Sequence, residues 1–257
     1  MLRRIIFIIP LIFSCATLKN FKEPVLIPSA TETLYGIEVT KEVLSEFTEY
    51  KNSEVTNYIK SLGQKMVKVC DRKDIPYNFY VLKTNMINAF AAPGGFIFVT
   101  TGLIKFCDNE AELASVIGHE LGHVTARHSM KALQNKIGFE ILSTLLFGTN
   151  QSLKREVINI AAGLLFLKHS RDQEYEADNL GTKYAFLSGY APSAMADFLK
   201  KLAQMEKGGA LIEFLSTHPS SSKREAEVAE FAKKLSPDNS KLIMNTEKFL
   251  KIKSLIP

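Results

Sequence analysis

The 257 residues carry 46% hydrophobic and 23% charged side chains, a globular balance that excludes a disordered or fibrous chain and leaves enough length for a buried core. The 32 basic and 27 acidic residues give a net charge of +5, or +3 without Arg3 and Arg4. The basic residues are spread along the chain with no arginine-rich or RNP-like motif, so no nucleic-acid partner is expected.

The chain begins Met1-Leu2-Arg3-Arg4 and continues as an apolar run from Ile5 to Phe13, the pattern of an export signal. The run is shorter than the roughly 20 residues of a membrane-spanning helix. Ser14-Cys15 resembles a bacterial lipobox, in which cleavage falls before the cysteine and the cysteine carries lipid. The alternative is a plain signal peptide or an uncleaved anchor. The expected organisation is a signal peptide over 1–14, a lipid-anchored tether over 15–39 containing Pro24 and Pro28, and one domain over 40–257. Cys70 and Cys107 have no CxxC partner and no nearby histidine cluster, which argues against a thiolate metal site. In an oxidising compartment they form either one disulfide or two separate thiols.

From Lys41 to Cys70 the apolar residues Val43, Leu44, Phe47, Val55, Ile59, Leu62, Met66 and Val69 recur at helical spacing. A strand is expected over Phe79–Leu82, followed by extended segments around the Pro93-Gly94-Gly95 turn and a β-rich run over Phe96–Thr100. A long helix should begin near Asp108, with Glu110 and Glu112 favouring the positive end of its dipole. Apolar runs over 137–147 and 157–167 are either core helices or a lid or membrane-touching hairpin. Further helices are expected over Arg171–Tyr184, Pro192–Met205 and Ser222–Leu235. The whole is an α+β chain, mostly helical, with a small sheet in its first third.

His119-Glu120-Leu121-Gly122-His123 carries the strongest chemical signal. Residues four apart share a helical face, so both imidazoles reach one metal ion, and the glutamate between them is placed to take a proton from the attacking water. Zinc suits nitrogen and oxygen ligands in a tetrahedral arrangement with one open position. A third ligand is needed. In Glu174-Tyr175-Glu176-Ala177-Asp178, Glu174 and Asp178 share a face, while Glu176 points about 160–200° away from it. Glu174 is therefore the expected ligand, and Asp178 the group that hydrogen-bonds and orients a ligand histidine.

HELGH followed by EYEAD resembles the gluzincin peptidases of the HtpX, Oma and CAAX prenyl protease family, especially its BepA-like periplasmic and lipoprotein branch. Asn88 to Ile97 (NAFAAPGGFI) resembles the family's segment leading into the strand beside the active site. Ser170-Arg171 and Thr217-His218-Pro219, with Arg224 five residues after the proline, match as well. The resemblance runs from about Thr40 to Phe231 and implies a zincin-like metallopeptidase domain with a small sheet whose edge strand borders the cleft. It implies one zinc ion (Zn2+) per chain on His119, His123 and Glu174, with Glu120 as general base. His218 would approach from the substrate side, either to stabilise the oxyanion or to cover the metal in a resting state. Phe96, Ile97, Phe98 and Val99 would form the edge strand that pairs with an extended substrate. His128 and His169 have no matching role and are expected to be surface or structural.

The expected function is a zinc endopeptidase, held by lipid at Cys15 on a bacterial membrane and facing the periplasm, with the outer membrane preferred. Its substrates would be misfolded or unassembled envelope proteins. The alternative is a latched, chaperone-like assembly factor that binds such clients with little proteolysis. The segment after Leu235 is too short for the helical-repeat domain of BepA-like relatives, so partner functions of that domain are not carried over.

Overall fold

A computed structural model of the chain describes residues 24–147, 151–165, 168–207, 213–218 and 222–257. The expected signal peptide and Cys15 lie outside these residues. The described elements begin with α1 (Ser29–Glu46) and α2 (Ser53–Val67), then strands β1 (Asn78–Leu82), β2 (Ala89–Ala92) and β3 (Phe96–Thr100). Helices α3 (Thr101–Phe106), α4 (Glu110–Thr125), α5 (His128–Phe147), α6 (Gln151–Leu164), α7 (Arg171–Leu187), α8 (Ala194–Lys207), α9 (Glu213–Thr217), α10 (Ser222–Leu235) and α11 (Glu247–Ser254) follow.

The range 15–39 expected as tether overlaps chain that packs on the domain. From Pro24 the chain lies on the domain: Ile27 is buried, Arg127 donates to the carbonyls of Val25 and Ile27, and α1 starts at Ser29. Tyr35, Val39 and Val43 line the buried face of α1, so its apolar spacing begins before Lys41. Asn52 interrupts the helical pattern and caps α2 by accepting from the amides of Glu54 and Val55.

The sheet has the order β1-β3-β2, with β3 parallel to β1 and antiparallel to β2. Side chains alternate across it. Ile97 and Val99 face the core built by α2 and α4, whereas Phe96 and Phe98 face the core built by α1, α5 and α6. On that second side Tyr80, Phe98 and Phe90 stack across the three strands, with ring centroids 5.2 and 5.0 Å apart. Met130, Leu133 and Ile137 of α5 and Val157 and Ala161 of α6 complete the same core. Ile137 of the first apolar run and the described apolar residues of the 157–167 run thus pack as core on the sheet. No described helix is long and apolar enough to cross a membrane.

The position of β3 corrects an expectation. Phe96, Ile97, Phe98 and Val99 are buried in the central strand, and their backbone is already paired on both sides. An uninterrupted apolar run is the signature of a strand covered on both faces, not of an edge. β2 is an edge strand, and Ala89 joins the core that includes α4.

Candidate active site

The site forms where α4 and α7 cross. A β-carbon on Gly118 would meet the Gly181 carbonyl at 2.7 Å, and one on Gly122 would meet the Ala177 carbonyl at 2.8 Å. These small residues let the two backbones approach until side chains one turn apart on each helix share a single space. Asn109, one residue beyond the expected Asp108, caps α4 by accepting from the Glu112 amide at 2.9 Å. A capping box between Ser170 and Gln173 starts α7 at Arg171, as expected, and fixes the phase that presents Glu174 and Asp178.

His119 Nε2 and His123 Nε2 lie 3.0 Å apart. Glu174 brings Oε1 to 3.5 Å from His123 Nε2 and Oε2 to 3.8 Å from His119 Nε2. His218 Nδ1 lies 3.2 Å from His119 Nε2 and 3.1 Å from Glu174 Oε1. One atom from each of these four buried residues falls within 4.8 Å of the others. With metal–nitrogen bonds near 2.0–2.1 Å, neighbouring ligands of a tetrahedral zinc stand roughly 3.3 Å apart. Three imidazole nitrogens and one carboxylate at these spacings therefore fit zinc in both donor type and separation.

The surroundings organise these four groups. Asp178 Oδ1 sits 2.9 Å from His119 Nδ1, on the ring edge away from the cluster. Arg224 of α10 grips Asp178 through two 2.8 Å bonds and reaches Glu174 Oε2 at 2.7 Å. Phe214 stacks on His218, with ring centroids 4.5 Å apart. The Phe214 amide donates to the Ile87 carbonyl at 3.1 Å, tying the His218 segment to the residue that leads into β2.

Glu120 is buried, and its Oε1 has no hydrogen-bond partner among the described residues. His218 Nε2 lies 3.6 Å from that oxygen. Burial raises the Glu120 pKa above the ordinary carboxylate range, against the pull of His218 and His119. Glu174 goes the other way. Burial opposes its charge, yet His218, His119 and Arg224 draw it down to about 2. Burial and then the neighbouring histidines push His123 well below the usual imidazole value. His218 is raised because Glu174 and Glu120 outweigh its burial. The result is a carboxylate held ionised by its neighbours and an imidazole kept neutral by burial, beside a second carboxyl whose burial raises its proton affinity.

Sequence reasoning places His119, Glu120, His123, Glu174, Asp178 and His218 here, and the structure brings all six together. It does not bring Phe96 to Val99 to the cluster, and Cys15 lies outside the described residues. His128 and His169 are the unexpected members, so that all five histidines of the chain converge. His128 Nδ1 is 2.8 Å from His123 Nδ1, and the His169 ring stacks on His123 with centroids 4.0 Å apart. Burial brings His128 down to about 4 and His169 to about 3, so both are neutral near pH 7.

The family model described as Peptidase family M48 matches residues 53–232. The chain belongs to peptidase family M48. That match contains the whole cluster and every residue that contacts it above, and α1 lies before it. Among curated relatives, the chain is 31% identical over 196 residues to the beta-barrel assembly-enhancing protease of Yersinia pestis. The protein of the same name from Escherichia coli (strain K12) is 31% identical over 194 residues. Each of these two alignments covers 71% of this chain and 40% of the relative. The mitochondrial metalloendopeptidase OMA1 of Arabidopsis thaliana is 37% identical over 157 residues, covering 61% of this chain and 32% of the relative. The chain thus spans about two fifths or less of the length of these M48 relatives.

Proposed function

We propose that this chain is a zinc-dependent endopeptidase that hydrolyses peptide bonds in misfolded or unassembled proteins of a bacterial cell envelope. The reading is carried by one observation: Glu120 lies buried between the two helix-borne imidazoles of a four-residue cluster whose spacing fits zinc. The relatives named beta-barrel assembly-enhancing protease and metalloendopeptidase support a polypeptide substrate.

His119, His123 and Glu174 would hold the zinc, which polarises a scissile carbonyl and acidifies water when bound. Glu120 takes the proton of the attacking water at its carboxylate and returns it to the leaving amine. Burial raises its pKa, which strengthens it as a base toward the water proton. Asp178, itself held by Arg224, keeps the His119 ring in its ligating orientation. An extended substrate would add to the edge of β2, Ala89–Ala92, rather than to the buried β3.

His218 makes a second state intelligible. Its Nδ1 faces the cluster while its Nε2 faces Glu120 Oε1, so it covers both the metal position and the base. This favours the resting, covering role over direct oxyanion stabilisation in the geometry described. A client-binding factor with little proteolysis is not favoured, because such a protein has no use for a carboxyl placed as Glu120 is.

The N-terminus is assigned a signal peptide over 1–14 and a lipid on Cys15 that holds the domain on the periplasmic side of the outer membrane. Metabolic labelling with a fatty acid, lost in Cys15→Ala, checks this assignment. The peptidase reading is tested with a soluble form starting at Ala16, loaded with zinc and given casein beside Glu120→Gln. Cleavage by the parent and none by the variant supports it. Equal cleavage by both, or none by a zinc-loaded parent in which His218 has also been changed to Ala, overturns it.

A further inference from the structure

We propose that His128, backed by Glu176, is the positioning residue for His123 and sets which of its two ring nitrogens is free for a metal. The inference rests on the zinc reading above. His123 Nε2 faces His119 Nε2 at 3.0 Å, and its Nδ1 lies 2.8 Å from Nδ1 of His128. The other nitrogen of His128, Nε2, is 3.2 Å from Glu176 Oε2. His128 is fully buried, whereas the Glu176 side chain is 30% exposed, so the chain of contacts runs from the cluster toward solvent.

With neutral rings and a metal on His123 Nε2, one arrangement of protons satisfies the contacts of His123 and His128. A nitrogen that ligates a metal offers a lone pair, so a ligating His123 Nε2 requires the ring proton on Nδ1. That proton points at His128 Nδ1, which must then be the acceptor. The proton of His128 accordingly sits on Nε2 and is donated to the Glu176 carboxylate. In the reverse arrangement His128 donates to His123, the proton of His123 moves to Nε2 and projects into the cluster, and a lone pair of His128 faces a carboxylate. Ligand histidines commonly donate their second N–H directly to a carboxylate or a carbonyl. Here an imidazole stands between ligand and carboxylate.

The backbone is built to deliver His128 to this place. Five residues along a continuous helix are turned by about 140°, which would carry His128 away from His123. The chain instead breaks after α4 at Arg127, whose φ of +58° is left-handed and unusual for a residue with a side chain. Glu32 of α1 holds that corner, accepting from Arg127 Nε at 2.9 Å and from both terminal nitrogens of Arg72 at 2.9 Å. His169 stacks against the face of the His123 ring and leaves its edge to His128.

The test measures zinc affinity of the full-length protein against a chromophoric chelator at fixed pH, for the parent, His128→Phe, His128→Gln and Glu176→Ala. Phenylalanine fills the space and accepts nothing, so zinc should bind about 10–100-fold more weakly. Glutamine restores an acceptor oxygen and should recover most of that loss. In the zinc-loaded protein, the imidazole N–H signal of His123 Nδ1 should survive in His128→Gln and disappear into exchange in His128→Phe. If His128→Phe fails to fold in the metal-free state, the partly exposed Glu176→Ala carries the test, with weaker binding expected. A parent that takes up no zinc overturns the metal reading and this inference together. A parent that binds zinc, with His128→Phe (or the Glu176→Ala substitute) binding equally tightly, overturns this inference alone.

Discussion

A β-carbon placed on Gly181 would lie 2.4 Å from the amide nitrogen of His119, so these residues meet backbone to backbone with no room between them. That contact sets the distance between α4 and α7, and with it the span from His119 to Glu174 and Asp178.

Gly181→Ala should therefore push the helices apart. Neither neighbour is a flexible side chain, so the strain falls on two helical backbones. The cost should be about 1–3 kcal/mol or more in the metal-free protein, with weaker zinc binding as the ligands separate. Gly163→Ala is the control, because a β-carbon there meets nothing within 4 Å. That change should leave stability equal or raise it by up to about 1 kcal/mol. Thermal unfolding of both variants without metal, followed by zinc titration, checks the contrast. Equal behaviour of the two would remove the close approach as the determinant of the site.

Arg224 balances two buried carboxylates. Its side chain bonds Asp178 twice and Glu174 once, and all three groups are nearly inaccessible. Arg224→Ala should destabilise the metal-free protein by about 3–5 kcal/mol, the cost of leaving buried charge unpaired. Zinc should restore only part of this, since it would neutralise Glu174 and leave Asp178 uncompensated. Arg224→Lys should not rescue, because a single ammonium cannot reproduce the paired bonds to Asp178. Denaturant unfolding with and without zinc separates these expectations. A lysine variant as stable as the parent would show that charge alone, not the planar fork, is what the site needs.

Much of this site is legible in the residues. His119 and His123, and likewise Glu174 and Asp178, are four apart in helices with sound caps, and a one-turn repeat suffices to place each pair on one face. His218 has no such local signal and is reached through its family resemblance. His128 and His169 are not legible, because their approach depends on a left-handed Arg127 and on how α7 is entered, neither of which leaves a periodic trace. The helices around the sheet follow from apolar spacing, but the order β1-β3-β2 is a long-range outcome. The apolar residues at every position of Phe96–Val99 do carry a hint of it, since such a run suits a strand covered on both faces. The start of the domain is obscured differently: Pro24 and Pro28 read as a linker, while Val25, Ile27 and Tyr35 pack as core.

Acid should expose the electrostatic role of Glu174. Burial raises its pKa, but the cations around it win and hold the folded value at about 2, below the ordinary 4.5. The folded state thus binds fewer protons at this position than the unfolded state does. Its contribution is complete above pH 4.5 and is lost as pH falls from 4.5 toward 2, amounting to about 3 kcal/mol at most. The difference in unfolding free energy between the metal-free parent and Glu174→Gln should be largest between pH 4.5 and 6.5, shrink below pH 4.5, and fall again above pH 6.5 as His218, which Glu174 helps to raise, loses its proton. Taking the difference cancels most of the separate contribution of His128 and His169, whose lowered values act in the same sense from pH 6.5 downward. A difference that stays constant down to pH 3 would mean the cations do not hold Glu174 ionised.

The two remaining cysteines give a prediction about redox state. Cys70 and Cys107 are both buried and stand as free thiols, which resolves the choice between a disulfide and separate thiols in favour of the latter. Burial, reinforced by Glu112, pushes the Cys107 thiol far above its ordinary value, so no reactive thiolate forms at pH 8. In the soluble form starting at Ala16, iodoacetamide at pH 8 should leave Cys107 unmodified while the protein is folded. In guanidinium without any reductant, two carbamidomethyl groups should be added. Intact mass spectrometry reads both states directly. A protein that takes no label when unfolded would contain the disulfide after all, and the core around α2 and α4 would have to be repacked to bring the two sulfurs together.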